Sequence, residues 1–213
     1  MQLVKKQRRT RLDPEARRAQ LLNCSLAVFA EHGIARATHS QIAAKAGMSV
    51  SAVYSYFRTR EDLVHATLGE VECYLDRIFE QAVAKNLSPF EALLDIGRIF
   101  AEGAKSQPDI IRVLLDWSTG VGLEVWPNYL KMLGRLEETI KDILARGKAE
   151  GVVPAHIDIP TAARIFTGGG HTVALMQCAK IAPDELNRFI VQLVCGAMGL
   201  SRPPPPESGA QPA

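Results

Sequence analysis

Thr38-His39-Ser40-Gln41-Ile42-Ala43-Ala44-Lys45-Ala46-Gly47-Met48-Ser49-Val50-Ser51-Ala52-Val53-Tyr54-Ser55-Tyr56-Phe57 contains two short helical patterns with a glycine corner between them. Ala43 and Gly47 stand four residues apart, and Ile42, Ala46, Met48 and Val53 supply apolar positions around them. A helix-turn-helix needs this set. A small residue lets the second helix approach the first, glycine takes a left-handed backbone at the corner without a Cβ penalty, and the apolar residues fix the crossing angle. Ser49 caps the second helix. Its outward positions, Val50, Ser51, Tyr54 and Ser55, are small or hydrogen-bonding, as a helix entering a major groove requires. Arg58 and Arg60 follow at the start of the next helix, placed for phosphates. An ordinary hairpin in a helical bundle would rarely expose short polar residues beside a tyrosine on so short a helix.

Helical punctuation continues on both sides of this corner, and strand alternation does not. Upstream, Asp13-Pro14-Glu15 reads as an N-cap with proline at the first helical position, and the helix it opens stops at His32-Gly33. Downstream, Thr59 caps a helix whose Val64, Leu68, Val71, Leu75, Ile78 and Ala82 form one apolar stripe. Ser88-Pro89-Phe90-Glu91 has the pattern of a capping box and opens a helix to about Gln107, where Pro108 marks a break. A short apolar segment, Ile110 to Trp117, comes next. Glu124-Val125-Trp126-Pro127 then leads into a long helix with Leu130, Leu133, Leu136, Ile140 and Ile143 on one face, stopping near Gly151. Pro160 and Pro183 open the last two. The expectation is an all-α chain of about nine helices: a basic arm (1–12), a three-helix DNA-binding head (13–62), a larger helical bundle (63–200) and a low-complexity tail (201–213) expected to be disordered.

Composition excludes several classes. With 213 residues, 47% hydrophobic and 23% charged, the chain is not disordered throughout. No apolar run is long enough to span a membrane, and no secretory signal stands at the N-terminus, so a cytoplasmic location is expected. Cys24, Cys73, Cys178 and Cys195 are far apart and read as reduced, buried thiols. The net charge of +2 hides an asymmetry: residues 1–62 carry eleven Lys and Arg against five Asp and Glu, a net +6, while the rest carry fourteen against eighteen, a net −4. A basic head on an acidic body suits a polyanionic partner, although a solvated charge run at a terminus gives the same count.

The residues from Gln20 to Leu68 also resemble the DNA-binding head of the TetR family of bacterial transcriptional regulators. The marks are Leu26-Ala27-Val28-Phe29-Ala30-Glu31-His32-Gly33, Ile42-Ala43-Ala44-Lys45-Ala46-Gly47-Met48-Ser49 and Tyr54-Ser55-Tyr56-Phe57-Arg58-Thr59-Arg60-Glu61-Asp62-Leu63. Arg9-Thr10-Arg11-Leu12-Asp13-Pro14, Asp116-Trp117-Ser118 and Glu124-Val125-Trp126-Pro127 extend the resemblance to the quorum-sensing master regulators of vibrios, the LuxR/HapR/SmcR group. The resemblance implies a homodimer that binds double-stranded DNA at a pseudo-palindromic operator, repressing some promoters and activating others. It puts phosphate contacts on Thr38, Tyr54, Tyr56 and Arg60, base reading on Ser49, Val50, Ser51 and Ser55, and a minor-groove arm on Arg9 and Arg11. The group leads one to expect an amide or imidazole at position 55, where this chain has serine; that bears on the operator preferred. A ligand-released repressor of a neighbouring efflux or catabolic operon is the alternative the wider family implies.

For the bundle, the resemblance implies a dimer interface on the last two helices and an apolar pocket for a hydrophobic small-molecule effector. By position the pocket would be lined by Leu75, Ile78, Leu114, Trp117, Leu133 and Ile140, where the vibrio group leads one to expect more aromatics. Each of these residues also reads as plain core, and Trp117 and Trp126 as core anchors. Gly168-Gly169-Gly170, inside a helical pattern, costs roughly 2–3 kcal/mol relative to alanines, which argues for close backbone approach. No strand precedes this run and no lysine follows it, so it is a poor phosphate loop. His32, His39, His65, His156 and His171 lack metal-ligand spacing and default to surface or capping positions. Glu137-Glu138 reads as a solvated helix face. No nucleophile elbow appears, so neither catalytic residues, a metal nor a cofactor are expected, and the chain is not read as an enzyme.

Overall fold

The computed structural model describes residues 13–205, and the arm with Arg9 and Arg11 and the tail from 206 lie outside them. Among the described residues there are nine α-helices and no strand. They divide into two compact units, one ending at Leu68 and the other beginning at Gly69.

The first unit holds α1 (Pro14–His32), α2 (His39–Ala46), α3 (Val50–Tyr56) and the start of α4 (Arg60–Ala84). Leu21, Leu22, Leu26 and Phe29 of α1, Ile42 and Ala43 of α2, Val53 of α3 and Leu63 and Val64 of α4 are buried. Burying each large side chain stabilises by about 1.5–3 kcal/mol. Because Leu63, Val64, Thr67 and Leu68 are buried too, the unit reaches six residues beyond the boundary read from the sequence. Thr59 caps α4 reciprocally: its Oγ1 accepts from Asp62 N at 3.0 Å and its own N donates to Asp62 Oδ2 at 3.1 Å.

The second unit holds the rest of α4, α5 (Pro89–Ser106), α6 (Pro108–Thr119), α7 (Trp126–Ala149), α8 (Ile159–Cys178) and α9 (Pro183–Met198). Here α7 packs on α8, α8 on α9, and α5 on all three. The stripe Val71, Leu75, Ile78 and Ala82 is buried as its spacing requires. Pro108 is the first residue of α6, where its missing N–H costs nothing, and so starts a helix as well as ending one. On α7, Leu136, Ile140 and Ile143 are buried but Leu130 is exposed: near the helix start it has turned off the inward face. The thiols also depart from expectation. Cys195 is buried, whereas Cys73 and Cys178 are exposed on the outer sides of α4 and α8.

Candidate nucleic-acid interface

The corner between α2 and α3 is fixed by its own backbone. Gly47 adopts the left-handed conformation (φ 64°, ψ 36°), and Met48 N donates to Ala43 O at 2.9 Å, closing the end of α2. At the other end of α2, Thr38 Oγ1 accepts from Gln41 N at 3.3 Å while Thr38 N donates to Gln41 Oε1 at 2.8 Å. This is a reciprocal capping box, and the Thr-x-x-Gln spacing is the sequence signal for it.

Ser49 Oγ caps α3 by accepting from Ala52 N at 3.2 Å, and lies 3.0 Å from Ser51 Oγ. Ser55 Oγ donates to Ala52 O at 2.7 Å. Val53 is fully buried (0% exposed), which locks the helix to the head, whereas Ser49, Val50, Ser51 and Ser55 are exposed and Tyr54 is 47% exposed. Tyr56 is half-buried. One buried residue among seven leaves the outer face, with three hydroxyl groups and a phenol, open to a ligand.

Two side chains take roles the sequence did not suggest. His39 is 6% exposed, neither a surface residue nor a cap. Its ring stacks on Tyr54 with centroids 4.2 Å apart and planes 6° from parallel, and its Nε2 lies 3.3 Å from Phe57 O. One imidazole thus touches both α3 and the residue that ends it. Arg60 Nη2 donates to Ile34 O at 2.6 Å and to Ala35 O at 2.9 Å, tying the loop between α1 and α2 to the start of α4. The side chain nevertheless remains exposed, and both bonds come from Nη2 alone. Arg18 of α1 sits 5.3 Å from the centre of the Phe57 ring, within cation–π range.

The second unit holds a partly open cavity of about 100 Å³. Leu75, Leu114, Leu133 and Ile140 line it, but Ile78 and Trp117 do not. Trp117 is fully buried, and its Nε1 donates to Val125 O at 2.9 Å, so it anchors the core beside the α6–α7 connection. The wall is not purely aliphatic, because Phe79, Phe100, Tyr129 and Phe166 enter it from positions that carry no sign of a pocket in the sequence. Gly168-Gly169-Gly170 divides three ways. Gly169 lies so close to Leu193 of α9 that an added Cβ would come within 2.2 Å of it, Gly170 lines the cavity, and Gly168 faces open space. Glu137 is half-buried and within 3.4 Å of Thr167 Oγ1, not a fully solvated residue. Among the described residues no group of three His, Cys, Asp or Glu side chains could hold a metal ion, and no helix is long and apolar enough to cross a membrane.

Residues 21–67 match the family described as bacterial regulatory proteins, tetR family. The HTH-type transcriptional regulator LuxR of Vibrio harveyi is 29% identical over 190 residues, covering 89% of this chain and 93% of that protein. A TetR-like transcriptional regulator from Rhodococcus sp. RHA1 superposes with a TM-score of 0.76 at 22% identity, covering 89% of this chain and all of that one. The regulator FadR of Bacillus subtilis, solved in complex with stearoyl-CoA, gives 0.69 at 21% identity over 84% of this chain and 97% of that one. At these identities the two solved structures speak for the fold. The curated relatives are named as transcriptional regulators or repressors, not as enzymes.

Proposed function

The chain is a DNA-binding transcriptional regulator of the bacterial TetR family, and on that footing we propose that it works in the cytoplasm as a homodimer, each copy laying α3 in the major groove of one half of a pseudo-palindromic operator. The observation that carries this is the face of α3: Val53 is sealed in the core while Ser49, Val50, Ser51, Tyr54 and Ser55 face outward. In this reading the serines and Val50 meet base edges, Thr38, Tyr54 and Tyr56 meet phosphates, and Arg9 and Arg11 reach the minor groove. Arg60 holds the loop ahead of α2 through Nη2, and in this reading the exposed remainder of its guanidinium meets a phosphate.

Pairing through α8 and α9 is supported by Ile165 and Leu175, apolar side chains on α8 that are 50% and 49% exposed, and by the open space over Gly168 and Gly196. A twofold pair would set the heads about 34–36 Å apart, one turn of B-DNA. The likeness to LuxR supports a quorum-sensing-type global regulator that represses some promoters and activates others. The cavity favours a second reading, a local repressor released from an efflux or catabolic operon by a hydrophobic effector.

Selection from a random DNA pool with purified protein tests the first claim, and a pseudo-palindrome is expected. Ser51→Glu puts a carboxylate against the groove and is expected to weaken binding more than a hundredfold while the protein stays folded, because like charges in a closely fitted interface are strongly repulsive. An unaltered gel shift from folded variant would refute the placement of α3. Occupancy mapped across the genome separates the two regulatory readings: many sites for a global regulator, one adjacent site for a local repressor.

A further inference from the structure

The polar groups around the cavity in the second unit restrict the chemistry of whatever lies there. Among the described residues no Lys, Arg, Asp or Glu lines it, and only Tyr129, Thr167 and His171 bring polar side chains to its wall. Thr167 Oγ1 has one hydrogen and three acceptors within reach: Ala163 O and Arg164 O at 3.1 Å, and Glu137 Oε1 at 3.4 Å. That hydrogen is committed inside the protein, so the hydroxyl offers the cavity its lone pairs. Behind it stands the Glu137 carboxylate, whose field extends to the cavity wall. Burial raises the Tyr129 phenol above the ordinary tyrosine range, and the Glu137 charge adds to the shift.

An anionic head placed here would give up its hydration, find the Tyr129 hydroxyl and a His171 ring N–H as its donors but no lysine or arginine, and face the field of the Glu137 carboxylate. A head that donates a hydrogen bond would meet the Thr167 oxygen and gain from the same field. We propose that the effector is an apolar molecule with a hydrogen-bond-donating head, an alcohol or an amine, and that the cavity disfavours carboxylates. This rests on the reading of the cavity as an effector site. At about 100 Å³ the cavity is smaller than the about 150 Å³ that holds benzene, so a single ring is the most it admits, and the wall must yield to take it. Phe79 and Leu136 line both this cavity and the open groove between α4 and α7, so a turn of the Phe79 side chain would give a longer tail a way out.

Benzylamine, benzyl alcohol and benzoate share a ring and differ in the head, so titration calorimetry of the full chain with all three tests the proposal. Amine and alcohol are expected to bind at least tenfold more tightly than benzoate. Glu137→Gln, close in shape, is expected to cut the preference for amine over benzoate at least threefold, and Thr167→Val to weaken benzyl alcohol. Benzoate binding as well as the amine, none of the three binding, or a preference unchanged in a folded Glu137→Gln variant overturns the proposal; the wild-type series decides on its own if a variant does not fold. Operator binding by the ligand-free chain is measured alongside. Its loss sinks the regulator reading and leaves the cavity chemistry standing, whereas its retention while benzoate wins sinks only the effector class.

Discussion

Removing the His39 imidazole takes away two contacts at once: the face-to-face stack on Tyr54 and the approach of Nε2 to Phe57 O. An aromatic stack contributes about 0.5–1.5 kcal/mol beyond burial, and a hydrogen bond about 1 kcal/mol. His39→Ala is therefore expected to lower the stability of the head by about 2 kcal/mol in urea denaturation. Operator affinity should fall as well, measured where the variant is fully folded, because Tyr54 loses the ring that sets its direction. His39→Phe keeps the stack and drops the hydrogen bond, so it should lie between the two. If His39→Ala matched the parent in both measurements, the imidazole would be a passenger. The residue was hard to read in the sequence because a lone histidine at the start of a helix looks like a cap. Only the return of α3 across α2 buries it. Arg60 has a second role that spacing did not show: its Nη2 donates to carbonyls 25 and 26 residues earlier in the chain, while the side chain stays exposed.

Single elements were far more legible than the spaces between them. The α4 stripe, the glycine corner at Gly47 and the cap at Ser49 each depend on the period or local chemistry of one short segment, and each is where the spacing puts it. The cavity is assembled from six helices, and whether a residue points into it depends on how each helix is rolled. Ile78 and Leu75 share the α4 stripe, yet only Leu75 reaches the cavity. Phe79, one step further round, reaches it unannounced. Helix α8 shows how a local oddity resolves only at this level. Its three consecutive glycines sacrifice helix stability, and Gly169 explains one of them, because Leu193 occupies the place of a Cβ. Gly169→Ala would gain helix propensity of about 1 kcal/mol but must displace Leu193, and overpacking of this kind costs about 1–3 kcal/mol. The net expectation is a lower melting temperature by calorimetry. A rise would show that α8 and α9 have room to separate.

At the scale of the whole molecule, charge is divided along the chain, with a net +6 over residues 1–62 and −4 over the remainder. A regulator searching among a vast excess of non-operator DNA gains from this division. Attraction to phosphates is concentrated in the head and arm, and the acidic body discourages other contact. Lys5, Lys6, Arg8, Arg9 and Arg11 make the arm the densest run of positive charge in the chain. Deleting residues 1–11 removes these five cations and none of the described helices. Each phosphate neutralised contributes about 0.9 to the slope of log K against log salt. If the protein binds as a pair and Arg9 and Arg11 of both copies engage the DNA, truncation removes four contacts and the slope should be shallower by about 3.6, with weaker binding at low salt and a smaller deficit at high salt. Fluorescence anisotropy on one operator across a salt series gives both slopes. Parallel lines displaced from each other would mean that the arm acts on folding or pairing without touching the duplex, and coincident lines that it does neither. In both cases the head alone would carry the electrostatic attraction, through Arg17, Arg18, Arg36, Lys45 and Arg58 on its described surface.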